Sequence, residues 1–175
     1  MDDPFAAFAP AYTPDAAVAA VAAVAGASCP GLGNETPTAL RRLRPRDGRP
    51  RLLLIDDEPA VARFLAHAGE EFGYDAKITI NAASFRSAYE AEEPDVVAVD
   101  LAMPGGDGIE LLRYLAERRS RAIVLIISGF DGRVLDAAMR LGLALGLRMA
   151  GPLHKPVRVA DLEDAIRAAE REAMA

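Results

Sequence analysis

Three short runs of this chain are apolar at every position: Leu52-Leu53-Leu54-Ile55, Val96-Val97-Ala98-Val99 and Ile123-Val124-Leu125-Ile126-Ile127. A strand with one wet face alternates apolar and polar residues. An unbroken run of four or five belongs between two covering layers, which is the environment of a parallel sheet. Helical patterns over 59–72, 82–92, 108–119 and 131–146 fall between and beside these runs, and a final amphipathic helix begins near Val159. Weaker strand signals at 76–80 and 148–153 complete a β-α alternation repeated five times. The connections are long enough for right-handed crossovers. The expected fold is an α/β doubly wound five-stranded parallel sheet, (β/α)5, spanning residues 51–175.

Residues 1–50 have a different texture. They carry Pro4, Pro10, Pro14, Pro30, Pro37, Pro45 and Pro50 among Ala and Gly, and no strand-like run. They read as a mostly irregular N-terminal extension and linker. A flexible tail is the first reading; Thr13-Pro14-Asp15 is a helix-start signal that leaves a short helix over 15–25 as the alternative, with Val18, Val21 and Val24 on one stripe. About eleven residues is too short to be stable alone, so such a helix docks or flickers.

The formal charge is −6 with a pI near 5.0, which disfavours a nucleic-acid partner because the surface repels phosphate backbones. A single cysteine, Cys29, excludes a disulfide framework, and two histidines exclude a His-rich metal site. Residues 1–40 hold no Lys or Arg, which argues against a secretory leader. No apolar run approaches the ~18 residues of a membrane span. A cytoplasmic protein with no membrane partner is expected.

In an open parallel sheet, ligands bind beyond the carboxyl ends of the strands. Here Ile55 is followed by Asp56, Asp57 and Glu58, Val99 by Asp100, Ile127 by Ser128, and Leu153 by His154, Lys155 and Pro156. Taken singly, each has an ordinary explanation. Asp at a strand end often caps the next helix, Ser before Gly is a common turn, and Lys is mostly solvated. Their conjunction on one edge makes a coherent electrostatic device. Adjacent carboxylates raise one another's pKa unless a cation sits among them, and hard oxygen ligands suit Mg²⁺. A nearby ammonium and hydroxyl supply what the remaining oxygens of a phosphoryl group need.

Residues 51–175 resemble the receiver domain of two-component response regulators, with the flavodoxin-like fold of a single-domain chemotaxis-type regulator. The matching segments are LLLIDDEPAVARF, VVAVDLAMPGGDGIELL, VLIISG and LHKPV. The resemblance implies that Asp100 accepts a phosphoryl group from a histidine kinase or phosphotransfer protein. It implies that Asp56 and Asp57, with Asp100 and the backbone carbonyl of Ala102, hold Mg²⁺. Ser128 would turn toward the phosphoryl group, Lys155 would pair with it, and the Lys155–Pro156 peptide would be cis. Met103, Pro104, Asp107 and Gly108 match the turn after the acceptor, which Gly105 and Gly106 extend. Such a protein is not an enzyme beyond its own phosphorylation and dephosphorylation. With no effector segment legible after the last helix, output is expected through an unidentified target protein, and pairing into a homodimer is open.

Three features depart from the family pattern. Pro152 stands where members commonly place a Tyr or Phe whose ring rotates with the hydroxyl. The fourth helix reads as longer than usual, through Leu141-Gly142-Leu143-Ala144-Leu145-Gly146, either as core or as an extended contact surface. Ala102 is small where many members carry a polar side chain. Two other readings compete. A pseudo-receiver would use the fold for contact alone. A Mg²⁺-dependent phosphohydrolase of another α/β family would want a second Asp where Ala102 stands.

Overall fold

The computed structural model describes residues 48–104, 107–129 and 131–174. The candidate helix over 15–25, and Gly105 and Gly106, lie outside the described residues. Five strands, β1 (Arg51–Ile55), β2 (Asp75–Thr79), β3 (Val96–Asp100), β4 (Ile123–Ser128) and β5 (Arg148–His154), form one sheet in the order β2-β1-β3-β4-β5. Every strand pair is parallel. Between and after them run α1 (Pro59–Glu71), α2 (Ala82–Ala91), α3 (Asp107–Glu117), α4 (Gly132–Ala144) and α5 (Val159–Met174). This is the flavodoxin-like doubly wound fold, and the strand order reverses between β1 and β3.

The two-sided apolar runs do what their pattern requires. Leu53, Ile55, Val97, Val99, Val124 and Ile126 face one layer with Phe85, Leu111, Leu115 and Leu135. Leu52, Leu54, Val96, Ala98, Ile123 and Leu125 face the other, with Leu65, Leu162 and Ile166. Successive residues thus alternate between two buried cores, which is the period of a strand with no wet face. Each such aliphatic side chain contributes about 1.5–3 kcal/mol of transfer free energy. β2 is different. As an edge strand it exposes Asp75, Lys77 and Ile78, and its weaker apolar signal follows from that position.

Chain reversals are set by local chemistry. Pro59 opens α1, where its missing N–H is not needed, and Asn81 caps α2 by accepting the Ser84 N–H at 2.8 Å. α4 stops at Ala144 because Gly146 takes φ +80°, and the Leu147 N–H returns to the Gly142 carbonyl at 3.0 Å. It is therefore 13 residues long, shorter than its apolar tail suggests. That tail divides: Leu141 and Gly142 are buried, while Leu143 is 59% exposed. A side chain at Gly142 would meet the Met149 sulfur, so α4 lies directly on β5.

β5 carries an irregularity that sequence pattern does not show. Leu125 pairs with Ala150 and Ile127 with Leu153, so one residue of β4, Ile126, faces two of β5, Gly151 and Pro152. The extra residue is accommodated at exposed Gly151, φ +89°, followed by half-buried Pro152. The Gly151–Pro152 peptide is cis, as is Lys155–Pro156. The bulge sends Leu153 to the same core as Ala150 and brings His154 opposite Ser128.

Candidate functional site

The carboxyl ends of β1, β3, β4 and β5 meet at one edge, where the apolar cores give way to charge. Asp56 and Asp57 are consecutive residues just past the end of β1, and they are buried unequally. Asp56 is buried at 2% exposure and Asp57 is exposed. The Asp56 Oδ1 accepts the backbone N–H of Glu58 at 2.8 Å, just ahead of α1. Below it, the buried Thr79 hydroxyl donates to the Leu54 carbonyl at 2.7 Å, and the Asp56 N–H reaches the Thr79 carbonyl at 3.3 Å. The end of β1 is thereby tied to β2.

Asp100 ends β3 and is 1% exposed. Its Oδ1 accepts the Ala102 N–H at 2.7 Å, and its Oδ2 accepts from the Lys155 ammonium at 2.8 Å. The turn beyond it packs tightly. A Cβ at Gly108 would lie 2.7 Å from the Asp100 carbonyl oxygen and 2.8 Å from the Leu101 Cα. Glycine is needed here for close backbone approach. Ser128 ends β4 one residue past Ile127, the residue that pairs with Asp100, and is fully buried. The Lys155 backbone N–H donates to the Ser128 carbonyl at 3.0 Å, fixing the root of the lysine.

From there the Lys155 side chain reaches three carboxylates: Asp100 Oδ2 at 2.8 Å, Glu58 Oε1 at 2.9 Å and Asp56 Oδ2 at 3.0 Å. Burial opposes its charge, but the hydrogen bonds it donates to Asp100 and Glu58, with the Asp56 carboxylate beside it, outweigh that and hold its pKa above the ordinary lysine value. Burial pushes the Asp56 carboxyl up, with Asp100 adding to the rise, against the opposing pull of Lys155 and the Glu58 amide. Asp56 Oδ2 has a cation beside it yet no aligned hydrogen bond.

Oxygens of Asp56, Asp57 and Asp100 all lie within 4.8 Å of one another, which is the spacing of a cation site. A buried acceptor without an aligned donor, an exposed carboxylate beside it and a third on the next strand suit a hard divalent ion that keeps several waters. The residues fit Mg²⁺. The Ala102 amide is engaged with Asp100, as the turn geometry requires.

Residues 52–167 match the pattern of the response regulator receiver domain. The chain belongs to that family. The receiver is 31% identical over 123 residues to the positive alginate biosynthesis regulatory protein of Pseudomonas aeruginosa, covering 69% of this chain and 47% of the relative. It is 30% identical over 129 residues to the transcriptional regulatory protein TrcR of Mycobacterium tuberculosis, covering 73% and 50%. The chain thus spans about half the length of these curated relatives. A response regulator from Colwellia psychrerythraea superposes with a TM-score of 0.61 at 28% identity, over 70% of this chain and 98% of that one. A CheY-like receiver from Methanospirillum hungatei shares the fold with a TM-score of 0.62, over 72% and 97%, at 24% identity.

The structure therefore brings together Asp56, Asp57, Asp100 and Lys155, and sets Ser128 on the neighbouring strand end. Reading the sequence missed Glu58 as a partner of Lys155, 97 positions away. The only available signal was its place two residues after Asp56. Among the described residues no helix is long and apolar enough to cross a membrane.

Proposed function

We propose that this receiver accepts a phosphoryl group on Asp100, in a Mg²⁺-dependent reaction, from a histidine kinase or phosphotransfer protein. The observation that carries this is the setting of Asp100. It is a buried carboxylate with one oxygen on the Ala102 amide and the other on Lys155, beside the acidic pair Asp56 and Asp57. A carboxylate oxygen of Asp100 attacks phosphorus. As the O–P bond forms, the P–N bond of the donor phosphohistidine breaks, and the imidazole nitrogen keeps the electron pair. Lys155 turns an N–H from a carboxylate to an oxygen of the transferred group, and the Ser128 hydroxyl supports another. When bound by Asp56, Asp57 and Asp100, with the Ala102 carbonyl, Mg²⁺ offsets the charge that gathers on the phosphoryl oxygens.

The product is an acyl phosphate, which water cleaves, so the chain turns over only its own modification. Signal leaves by contact with a target protein, in the cytoplasm where phosphodonors and Mg²⁺ are available. Pro152 sits in the β5 bulge and has no aromatic side chain to swing with the Ser128 hydroxyl.

Intact-mass spectrometry after incubation with acetyl phosphate tests this, with and without Mg²⁺, on wild type and Asp100→Asn. One phosphoryl adduct is expected, dependent on Mg²⁺ and missing from the variant. No adduct on wild type, together with no response of the site to beryllofluoride by NMR, would leave a pseudo-receiver that works by contact alone.

A further inference from the structure

The Lys155 ammonium has three N–H donors and no acceptor. Three carboxylate oxygens stand around it at 2.8–3.0 Å, from Asp100, Glu58 and Asp56. Hydrogen bonds run to Asp100 and Glu58, while Asp56 Oδ2 is an ion-pair neighbour without one, so a phosphoryl oxygen that reaches Lys155 from the solvent side meets the place that Glu58 holds. The three are not held alike. Asp56 and Asp100 are 2% and 1% exposed, and each has its other oxygen fixed by a backbone amide, from Glu58 and Ala102 respectively. The Glu58 side chain is 62% exposed. Although Glu58 is the N-cap residue of α1, its side chain makes no capping hydrogen bond, and among the described residues it pairs with Lys155 alone.

We infer that Glu58 is a displaceable counter-ion. It occupies the place on Lys155 that the phosphoryl group takes, and swings into solvent when that group arrives. This rests on Asp100 being the acceptor. Glu58 is a positioning residue, because it acts on the reaction through Lys155 and touches no reacting atom. Its consequence is competition: the carboxylate lowers the readiness of Lys155 to receive a phosphoryl oxygen. Asp57 is not the competitor, since no contact links it to Lys155 among the described interactions. An exposed ion pair of this kind has a modest strength, so displacement is feasible and the effect of removing it is graded.

The test compares wild type, Glu58→Gln, Glu58→Ala, Lys155→Met and the Glu58→Gln/Lys155→Met pair at saturating Mg²⁺. Two readouts are used: the rate of adduct formation with acetyl phosphate by intact mass, and the beryllofluoride concentration that half-saturates the site by NMR. Both Glu58 variants are expected to raise the rate and tighten beryllofluoride binding by about two- to fivefold. The effect should vanish in the Lys155→Met background. Melting temperatures should match wild type, because Glu58 neither caps α1 nor enters the core. Unchanged rate and binding in a wild-type background that does phosphorylate would overturn the inference alone. The same gain with Lys155 absent would assign the effect to general charge, and overturn it too. A slower reaction with weakened Mg²⁺ binding by calorimetry would give Glu58 to the metal instead. If wild type takes neither adduct nor beryllofluoride, the acceptor reading falls and this inference with it.

Discussion

The middle of the sheet and its carboxyl edge are built from the same three strands, yet they follow opposite rules. In β1, β3 and β4 nearly every residue is buried and apolar, and each contact adds to stability. At the carboxyl ends of these strands, Asp56, Asp100 and Ser128 are just as buried, at 2%, 1% and 0% exposure, but they are polar or charged. Burial of Asp56 raises its pKa even with Lys155 beside it, so neutral pH holds this carboxylate against its preference. The core is where the fold gains its free energy. The edge is where part of that gain is given up to keep carboxylates out of bulk water.

A substitution in the middle should cost most. Ile126 is fully buried in β4 between Phe85's core and the sheet. Ile126→Ala leaves a cavity that close neighbours cannot fill, and the expected loss is about 2–5 kcal/mol in urea unfolding. A loss under about 1 kcal/mol would mean the sheet interior is not the rigid element that this contrast assumes.

Gly108→Ala comes next and sits at the boundary between the two regions. The new methyl meets Asp100 and Leu101 backbone at 2.7 and 2.8 Å, which cannot move as a flexible side-chain tip would. We expect a loss of about 1–3 kcal/mol, with slower adduct formation because the Asp100 turn must shift. Gly132→Ala is its counterpart at the start of α4, where nothing lies within 4 Å, and it should be neutral or stabilising by about 0.4–1 kcal/mol. Equal effects at the two glycines would remove the argument from close approach.

How much of this was legible in the sequence follows from the same contrast. The central strands declared themselves because two-sided burial leaves an unbroken apolar run, and the helices between them were placed to within two residues. The edge strand β2 was blurred by its exposed face. Strand ends converge by topology alone, so Asp56, Asp57, Asp100, Ser128 and Lys155 could be gathered without coordinates. What could not be read depended on contacts across space. The grip of Glu58 on Lys155, the backbone crowding at Gly108 and the extra residue in β5 at Gly151 and Pro152 all arise from pairing between distant segments. The stop of α4 at Gly146 was within reach of the rule for left-handed caps, but the apolar residues before it hid the boundary.

The smallest expected change in stability has the opposite sign. Asp56→Asn keeps the shape and the Glu58 amide contact while removing a carboxylate whose pKa is raised by burial. A raised carboxyl binds its proton more tightly when folded, so the wild type loses stability as pH climbs from the ordinary value of 3.8 through the folded value. Above that window the full cost is present, and below it both proteins carry a neutral group. The variant should therefore melt higher than wild type at pH 7 without divalent ions, with a gain smaller than the losses above. The gap should close as pH falls toward 3.8. Mg²⁺ should reverse the order at neutral pH, because it stabilises the wild type and finds one ligand fewer in the variant. A variant that melts lower at pH 7 in chelator would show that the Lys155 ion pair outweighs burial at this edge. The carboxylates would then support the fold in the same sense as the core.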